Sequence, residues 1–294
     1  MKFGGAIGSD KAGSLRDIDS RYLPKTILIG KDSSFTDVIS MVARKGVSYP
    51  LIAKPNNGER GKGVEKIANE EELRDYFMSH VGELLIQEFI DSKHELGVLY
   101  YKHPHTGEGH ITSIVQKGFL KVTGNGKKTL RQLILNNTRS RLRKNYLFHK
   151  FSRVLDDVVP KDEVLFLEPV GNHCRGTEFI NGQNLINAQL ISVFDEISQS
   201  IHGFDYGRFD IKVEDIDAMY KGEGIKIMEI NGVNAEPAHI YDRSYTLLGA
   251  YKVIKKHFDI MYFIAMSRQN ESHIEWPTFS EFMTGYREHT RPSA

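Results

Sequence analysis

Two short stretches of the chain decide the fold: YGRFDIKV at residues 206–213 and IKIMEING at residues 225–232. Both alternate apolar and polar residues over most of their length, which is the period of a β-strand with one buried face. The connection between them is acidic and contains glycines, as a turn does. We therefore predict two strands that pair in one sheet.

Polar side chains gather on one face of this strand pair. In the first strand, alternation gives a polar face formed by Arg208, Asp210 and Lys212. In the second strand, strict alternation puts Glu229 and Asn231 on one face. Two isoleucines, Ile225 and Ile227, share that face. When the strands pair, Asp210 comes near Glu229 and Asn231 at one end of the sheet.

This polar group predicts a divalent-metal site. Two carboxylates and an amide oxygen on a half-buried surface repel one another unless a cation neutralises them. Oxygen ligands favour Mg²⁺ or Mn²⁺ over zinc, and magnesium completes its octahedron with phosphate oxygens and waters. An ion pair between Arg208 and Asp210 at the sheet edge explains these residues without a metal. The two strands alone leave both interpretations open.

A glycine-rich loop, NNGERGKG at residues 56–63, joins two predicted strands. Its glycines and cations are Gly58, Gly61, Gly63, Arg60 and Lys62. Such glycines let backbone amides approach anionic oxygens, and the cations add mobile positive charge. The loop fits a flap over a nucleotide, and a hairpin loop without a ligand is the alternative. Lys54, which ends the apolar strand before the loop, needs an anion or a path to solvent.

The stretch LIQEFIDSKHELGV at residues 85–98 has the character of a nucleotide-binding edge. A strand that ends in Glu88, Phe89 and Ile90 offers backbone amides and carbonyls beside apolar side chains, which suits the edge of a purine. Glu95 lies beyond a short turn, and its carboxylate has enough lone pairs to accept both hydroxyls of a ribose. A plain surface carboxylate is the alternative interpretation of Glu95.

The composition is that of a folded globular protein. The chain has 294 residues, 40% of them hydrophobic, and 39 basic residues balance 38 acidic ones. This balance argues against disorder and against nucleic-acid binding through bulk positive charge. The single cysteine, Cys174, excludes an internal disulfide and a cysteine-based zinc site, which fits a reducing cytoplasm. No apolar run approaches the ~18 residues of a membrane span, and no signal peptide is evident.

Helix signals separate the predicted strands. A helix capped by Ser34 ends at Gly46, and Asn69 with Glu72 forms the capping box of a second helix. Three further helical patterns cover residues 129–150, 188–202 and 245–266. Strands and helices that alternate in this way indicate an α+β protein.

In their order and spacing, these motifs resemble the ATP-grasp superfamily of carboxylate–amine ligases. The resemblance runs from about Tyr22 to Met266 and is closest to the branch of D-alanine–D-alanine ligase, cyanophycin synthetase and fused glutathione synthetases. VTGNGKKTLRQLILNNTRSR at residues 122–141 is similar to the helix insertion of the latter two. NHCRGTEF at residues 172–179 is similar to the turn that they carry before their last helix.

The resemblance implies an ATP-grasp fold, in which two α/β lobes with mostly antiparallel sheets clasp a nucleotide. The implied domains are an N-terminal arm and lead-in helix at 1–48, a small lobe with the flap at 49–115, a large lobe with the metal site at 116–268, and a C-terminal tail at 269–294. Ligases of this family carry a further domain before the grasp, and most of that domain is missing from this sequence. We therefore expect a homodimer or an ordered tail to cover that side of the cleft.

The resemblance also implies individual roles. Implied ligands of ATP are Lys11, Lys54, Gly58, Arg60, Gly61, Lys62, Gly63, Glu88, Phe89, Ile90 and Glu95. Implied ligands of two Mg²⁺ (or Mn²⁺) ions are Asp210, Glu229 and Asn231. Arg208 would contact the phosphate that is transferred. Arg175, after a turn, would neutralise a developing acyl phosphate, with a plain surface arginine as the alternative.

Together these roles describe an ATP-dependent, ADP-forming ligase that activates a carboxylate as an acyl phosphate for attack by an amine. Its partners would be small-molecule carboxylate and amine substrates, without a membrane or a nucleic acid. Glu236, His239 and Tyr241, which follow the second strand, are the predicted substrate contacts. Two alternatives remain open: a kinase of the same fold that phosphorylates a small molecule, and a non-catalytic nucleotide-binding accessory protein.

Overall fold

The computed structural model describes Gly4 and residues 11–56, 63–168, 177–272 and 277–290. Helices and strands are both present, and each strand pairing with a defined register is antiparallel. The predicted α+β class with mostly antiparallel sheets is therefore confirmed. None of the helices in these ranges combines the length and the apolar character needed to cross a membrane.

The elements are numbered in chain order. The strands are β1 (Thr26–Ile29), β2 (Leu51–Pro55), β3 (Glu65–Ile67), β4 (Leu84–Glu88), β5 (His94–Lys102), β6 (Gly109–Gly118), β7 (Lys121–Thr123), β8 (Val164–Phe166), β9 (Glu178–Asn181), β10 (Tyr206–Val213) and β11 (Ile225–Asn231). The helices are α1 (Lys11–Ser14), α2 (Phe35–Lys45), α3 (Glu70–Ser79), α4 (Leu130–Asn136), α5 (Thr138–Leu142), α6 (Lys144–Lys150), α7 (Ala188–Gln199), α8 (Ile216–Met219), α9 (Leu247–Ser272) and α10 (Phe279–Thr290).

A four-stranded sheet with the order β1-β4-β2-β3 forms the first layer. Helices α2 and α3 pack their apolar sides against it, because both helices repeat apolar residues at intervals of three and four. Their shared core includes Ile29, Val38, Leu51, Leu73 and Ile86, each at most 1% exposed. This core fixes the strand that carries Lys54.

The helices of this layer begin where the sequence predicts. Ser34 Oγ accepts a hydrogen bond from the Asp37 backbone amide, and the Asp37 carboxylate accepts one from the Ser34 amide at 2.9 Å. Gly46 ends α2 with a φ of 63°, a left-handed conformation that glycine adopts without strain. Asn69 Oδ1 accepts from the Glu72 amide at 2.9 Å, which opens α3. These caps are local, so the sequence alone reveals them.

A five-stranded sheet with the order β11-β10-β5-β6-β9 forms the second layer. Helix α7 covers one of its faces, where apolar residues of the helix and the strands make the largest core. Its fully buried members include Leu96, Tyr100, Phe194, Phe209 and Ile211. The opposite face of β5 and β10 is left for polar residues and for helix α9.

Strand β11 contains one residue more than its neighbour requires. Ile227 pairs with Ile211 and Glu229 pairs with Asp210, so that Met228 has no partner of its own across the ladder. Two residues on one strand that oppose one on the next form a β-bulge, which reverses the alternation of faces beyond it.

The bulge overturns one prediction from the sequence. Ile225 and Ile227 face the core before the bulge, and Ile230 faces it afterwards; all three are at most 1% exposed. Glu229 and Asn231 therefore lie on the opposite face from these isoleucines. The prediction that they share a face with Ile225 and Ile227 is wrong, because strict alternation does not hold across Met228.

Helix α9 packs on the face of the five-stranded sheet that lies opposite helix α7. Ile264 belongs to a small apolar cluster with Tyr206, and the Tyr206 hydroxyl is hydrogen-bonded to His257 Nδ1 at 3.0 Å. Further along, Arg268 donates two hydrogen bonds to the Asp205 carboxylate at 2.6 and 2.9 Å. The helix is longer than predicted, and the polar tail after it contains α10, which its composition did not predict.

Residues 117–180 form a compact unit of their own. Strands β7 and β8 pair, and short helices α4, α5 and α6 pack on an apolar core. The helical pattern over 129–150 gives three helices rather than one. Asn137 explains the first break, because its side chain accepts from the Arg139 and Ser140 amides and so caps a new helix.

The other compact unit combines residues 1–116 with 181–294. Its first limit falls one residue from the predicted lobe boundary at 115/116. Strands β10 and β11 group with the N-terminal part, since β10 pairs with β5 along its whole length. The predicted ranges of arm, lobes and tail stay a prediction, and they do not coincide with these compact units.

Deletion of Met228 should leave the fold intact. The shortened strand alternates strictly, so that Ile227 and Ile230 stay in the core while Glu229 and Asn231 stay on the polar face. We expect the free energy of unfolding to fall by about 2 kcal/mol or less in urea titrations. The contrasting variant is Ile230→Asp, which buries an unpaired charge at a fully buried position and should cost more than about 3 kcal/mol. Equal losses in both variants would contradict the assignment of Met228 as the extra residue.

Candidate functional site

The centre of the candidate site is the polar face where β10 meets β11. Asp210 lies directly opposite Glu229, and Arg208 lies opposite Asn231. Arg208 Nε donates to Asp210 Oδ1 at 2.8 Å. The ion pair that the sequence offered as the alternative to a metal site is therefore present, and it sits among the predicted metal ligands.

Charges around Arg208 keep it protonated. Burial lowers the pKa of the guanidinium, but Asp210, Glu229 and Glu236 raise it more, and the net change is upward. Its side chain is 21% exposed and that of Asp210 is 10% exposed. Because three carboxylates surround one fixed cation, the surface keeps an excess of negative charge that favours further cations.

The oxygen donors of this face fit a hard divalent cation. Within the described residues, the side-chain nitrogen of Asn231 is buried without a hydrogen-bond partner. Rotation of this amide by 180° would bring its oxygen to the same position, where it could bind a cation. In the described ranges, no group of three or more His, Cys, Asp or Glu side chains is placed so that it could hold a metal ion by itself. A magnesium ion here would need water and phosphate oxygens besides the protein ligands.

Gly97 is a member of the site that sequence reasoning missed. It lies on β5 opposite Asp210, and a Cβ at this position would stand 3.2 Å from Asp210 Oδ1 and 3.1 Å from Arg208 Cδ. The same Cβ would lie 2.9 Å from Val115. The missing side chain therefore leaves the space in which the Arg208–Asp210 pair sits. A glycine in the middle of the strand HELGVLYYK was the signal that could have found it.

The segment after β11 carries the three predicted substrate contacts. Glu236 and Tyr241 are exposed, and the Tyr241 hydroxyl donates to a Glu236 carboxylate oxygen. Burial, then this hydrogen bond, raises the pKa of Tyr241 to about 12, so the phenol stays protonated. The charge of Glu236 acts on Arg208, which places this pair beside the polar face.

His239 does not lie where a substrate would touch it. It has no exposed surface, and its ring is hydrogen-bonded to Ser113 Oγ at 2.6 Å and to Gln183 Nε2 at 2.8 Å. Burial lowers its pKa to about 4, so the ring is neutral at pH 7. The structure corrects the prediction of a substrate contact: His239 ties the segment with Glu236 and Tyr241 to β6.

Lys54 is buried at the end of β2, as the sequence predicts for a lysine that needs a partner. It is 8% exposed, and its Nζ donates to Gln87 Oε1 at 3.1 Å. Gln87 in turn donates to Thr26 Oγ1 at 3.0 Å. The row Lys54–Gln87–Thr26 crosses three strands of the four-stranded sheet and fixes the direction of the amine.

The predicted adenine-binding segment connects β4 with β5. The Glu88 carboxylate accepts from the Lys25 amide at 3.1 Å, so this side chain has a structural partner. Lys212 Nζ donates to the Ile90 carbonyl at 2.8 Å and lies 5.2 Å from the centre of the Phe89 ring. Sequence reasoning placed Lys212 on the polar face but did not give it this role.

Glu95 lies next to that segment. It is half-buried on β5, directly opposite Lys212 on β10. The predicted ribose ligand therefore shares a face with Arg208 and Asp210. Of the predicted site residues, the structure brings Glu95, Arg208, Asp210, Glu229 and Asn231 onto one surface of the five-stranded sheet.

Several predicted residues lie outside the described ranges. These are Gly58, Arg60, Gly61 and Lys62 of the flap, Arg175, and the side chain of Lys11. The two ends of the flap are described. Asn56 is 3% exposed and donates to Glu83 Oε2 at 2.8 Å, whereas Gly63 has a φ of 71° and its carbonyl accepts from the Tyr76 hydroxyl at 2.6 Å. Both anchors belong to the four-stranded layer.

A comparison with curated proteins finds a cyanophycin synthetase from Synechocystis sp., 21% identical over 257 residues. The match covers 80% of this chain and 28% of that protein, so the chain spans less than a third of its relative. Cyanophycin synthetase is one of the three enzyme types that the motifs resemble, and the resemblance to the carboxylate–amine ligases is thereby confirmed. No protein-family model matches the chain.

A comparison with solved structures also finds matches at low sequence identity. A D-alanine–D-alanine ligase from Bacillus anthracis complexed with ATP is 14% identical, with a TM-score of 0.47 over 89% of this chain and 68% of that chain. A bifunctional glutathione synthetase from Pasteurella multocida is 14% identical, with a TM-score of 0.42 over 88% of this chain and 38% of that chain.

Substitution Gly97→Ala should destabilise the protein by crowding the Arg208–Asp210 pair. The new methyl group must displace Val115 or the Arg208–Asp210 pair, which we expect to cost about 1–3 kcal/mol of unfolding free energy. Gly30→Ala is the matched control, because its Cβ would meet nothing closer than 3.7 Å. Thermal unfolding of both variants measures the difference. An unchanged melting temperature in Gly97→Ala would show that the site has spare room.

Two buried histidines should make the protein less stable in mild acid. Burial lowers the pKa of both His239 and His257 to about 4, below the 6.5 of an exposed histidine. Between pH 6.5 and 4 the unfolded chain therefore binds more protons, and stability falls as the pH falls. Each histidine should cost about 2 kcal/mol at pH 5 relative to pH 7.

Urea titrations at pH 7 and pH 5 test this expectation. His239→Gln should lose about 2 kcal/mol less than the parent protein over that interval. His202→Gln, at a side chain that is 93% exposed, serves as the control and should keep the full loss. An identical pH dependence in His239→Gln would disprove the neutral buried state.

Proposed function

We propose that the chain is an ATP-dependent, ADP-forming ligase that activates a carboxylate as an acyl phosphate and joins it to an amine. The observation that carries the proposal is the bulged pairing of β10 and β11. It sets Asp210 against Glu229 and Arg208 against Asn231 on a face that is separate from the core. Acidic and amide oxygens beside a fixed arginine suit the transfer of a phosphoryl group.

The nucleotide would bind through groups of both sheets. Lys54 would direct its amine toward a phosphate, since Gln87 already holds it in one orientation. The backbone at Phe89 and Ile90 would face the purine, with the Phe89 ring as an apolar neighbour. Glu95, which lies opposite Lys212, would accept hydroxyls of the ribose.

Asp210, Glu229 and Asn231 would hold magnesium, because they supply the oxygens that it prefers. When bound, the ion would supply charge neutralisation to the phosphates of ATP. Arg208 would bind the phosphoryl group during its transfer. The short hydrogen-bonded link to Asp210 would keep the guanidinium in place without a further search for its orientation.

The amine substrate would bind near Glu236. This carboxylate is exposed, and its hydrogen bond from Tyr241 limits its rotation. An acidic group beside the polar face would attract the ammonium form of an amine. His239 would act only as a positioning residue, since it holds this segment against β6.

Hydroxylamine trapping tests the reaction class. The protein is incubated with ATP, Mg²⁺ and a panel of amino acids and short peptides, and hydroxylamine captures any activated carboxylate as a hydroxamate. Hydroxamate together with ADP is the expected result. A stable phosphorylated product without hydroxamate would show that the protein is a kinase and not a ligase. ATP binding without turnover of any substrate in the panel would favour the non-catalytic accessory protein.

Substitutions Asp210→Asn and Glu229→Gln should lower ATP turnover by orders of magnitude while the fold is kept. Each removes one charge from the predicted magnesium ligands without a change of shape. Titration calorimetry should show weaker Mg²⁺-dependent binding of ATP in both. Glu223→Gln is the matched control, because Glu223 is exposed in the turn between β10 and β11. Full turnover in both site variants would remove this surface as the catalytic centre.

A further inference from the structure

Helix α9 exposes an unusually apolar outer face. Its large side chains Leu247, Leu248, Tyr251, Phe258 and Tyr262 are each between 62% and 75% exposed. Scattered single apolar residues are normal at a protein surface, but a continuous row along one helix marks an interaction site. None of these residues belongs to the proposed nucleotide and metal site, so the site does not explain why they are exposed.

The inner face of α9 fixes the position of this row. His257, Ile264 and Ser267 are each at most 7% exposed. Tyr206 at the start of β10 and Asp205 just before it hold His257 and Arg268 through hydrogen bonds. The apolar row therefore cannot turn inward without loss of these contacts, and it is a permanent part of the surface.

The row repeats with the period of a coiled coil. Leu248, Tyr251, Lys255, Phe258 and Tyr262 follow one another at alternating steps of three and four residues. This spacing of 3.5 residues defines a seam that fits the same seam on another helix. Lys255 is the charged residue within it, and its Nζ donates to Asp259 Oδ2 of the same helix at 2.7 Å. A charged residue at such a position selects the orientation of the partner helix.

We propose that the partner is a second copy of this chain, with the two α9 helices packed antiparallel across a twofold axis. In a parallel pair, Lys255 would face Lys255 of the second copy. In an antiparallel pair, each Lys255 instead lies across from Phe258 of the second copy, where its methylene stem covers the ring. By the same register, Tyr251 meets Tyr262 of the second copy, so a pair of aromatic rings lies on each side of the two Lys255–Phe258 contacts.

The residues beside the seam match the same arrangement. Lys252 and Asp259 occupy equivalent positions of successive heptads on one side of the row. In an antiparallel pair such positions face each other, which brings Lys252 to Asp259 of the second copy, twice by symmetry. Each Asp259 then lies between Lys255 of its own helix and Lys252 of the other. Exposed ion pairs contribute little affinity, but they distinguish the correct orientation from the wrong one.

The other side of the seam is apolar as well. Ile254 and Met261 flank the row there and are half-buried in the single chain. The interface thus has a charged edge and an apolar edge, and a twofold axis pairs each edge with itself. A helix that lies on a membrane instead carries basic residues on both borders of its apolar face. Asp259 on the border and Lys255 in the row disagree with that use.

Sedimentation equilibrium of the full chain between about 1 and 100 µM measures the association. The parent protein should be a dimer at the upper concentrations. Phe258→Asp should weaken the dimer by at least ~100-fold, since it places an unpaired charge in the seam. Met78→Asp is the control, because Met78 is a 75% exposed apolar residue on another helix, and this variant should stay dimeric. A monomer at every concentration would overturn the proposal.

Charge reversal tests the antiparallel orientation. Lys252→Glu and Asp259→Lys should each weaken the dimer, because each places like charges together, and the double variant should restore it. Equal association in all three variants would overturn the antiparallel arrangement. Flotation with vesicles of phosphatidylserine and phosphatidylcholine is the remaining arm. Membrane binding that Phe258→Asp abolishes, from a protein that stays monomeric, would also overturn the proposal.

Discussion

One extra residue in β11 is the constraint on which the candidate site depends. An unbroken alternation cannot send Ile227 and Ile230 into the same core, because they are three positions apart. The bulge at Met228 permits both and, as a direct result, turns Glu229 and Asn231 toward Asp210. The same bulge therefore places the isoleucines in the core and the polar side chains beside Asp210. Bulges are common beside functional sites for this reason.

The sequence left two interpretations of the polar face open, an ion pair and a metal site, and the two are compatible. Arg208 is bound to Asp210, which satisfies the ion-pair interpretation. Yet a single guanidinium does not balance the charges of Asp210, Glu229 and Glu236, which all act on it. The proposed divalent cation would complement the arginine here, because each would neutralise a different part of the same negative surface. The Arg208–Asp210 pair fixes the positions of these side chains, and the remaining negative charge of the carboxylates favours the binding of cations.

Local chemistry could be predicted from the sequence, and long-range contacts could not. The caps at Ser34 and Asn69 depend on residues three positions away, so the sequence displays them in full. The polar face of β10 could be predicted in the same way, since polar and apolar residues alternate regularly along this strand. His239 was misplaced because its partners Ser113 and Gln183 are 126 and 56 residues distant. No local pattern indicates that a histidine will find two buried partners at such separations.

The connection between β4 and β5 has a thermodynamic consequence. Glu88 is bonded to the Lys25 backbone at one end, and Lys212 holds the Ile90 carbonyl at the other. Such a segment has already lost most of its conformational freedom during folding. A flat heterocycle that approached Phe89 would meet donors and acceptors already in position, and the chain would lose little entropy on contact. Discrimination at this edge would then depend on the match of hydrogen-bonding groups, since the backbone has few other shapes to offer.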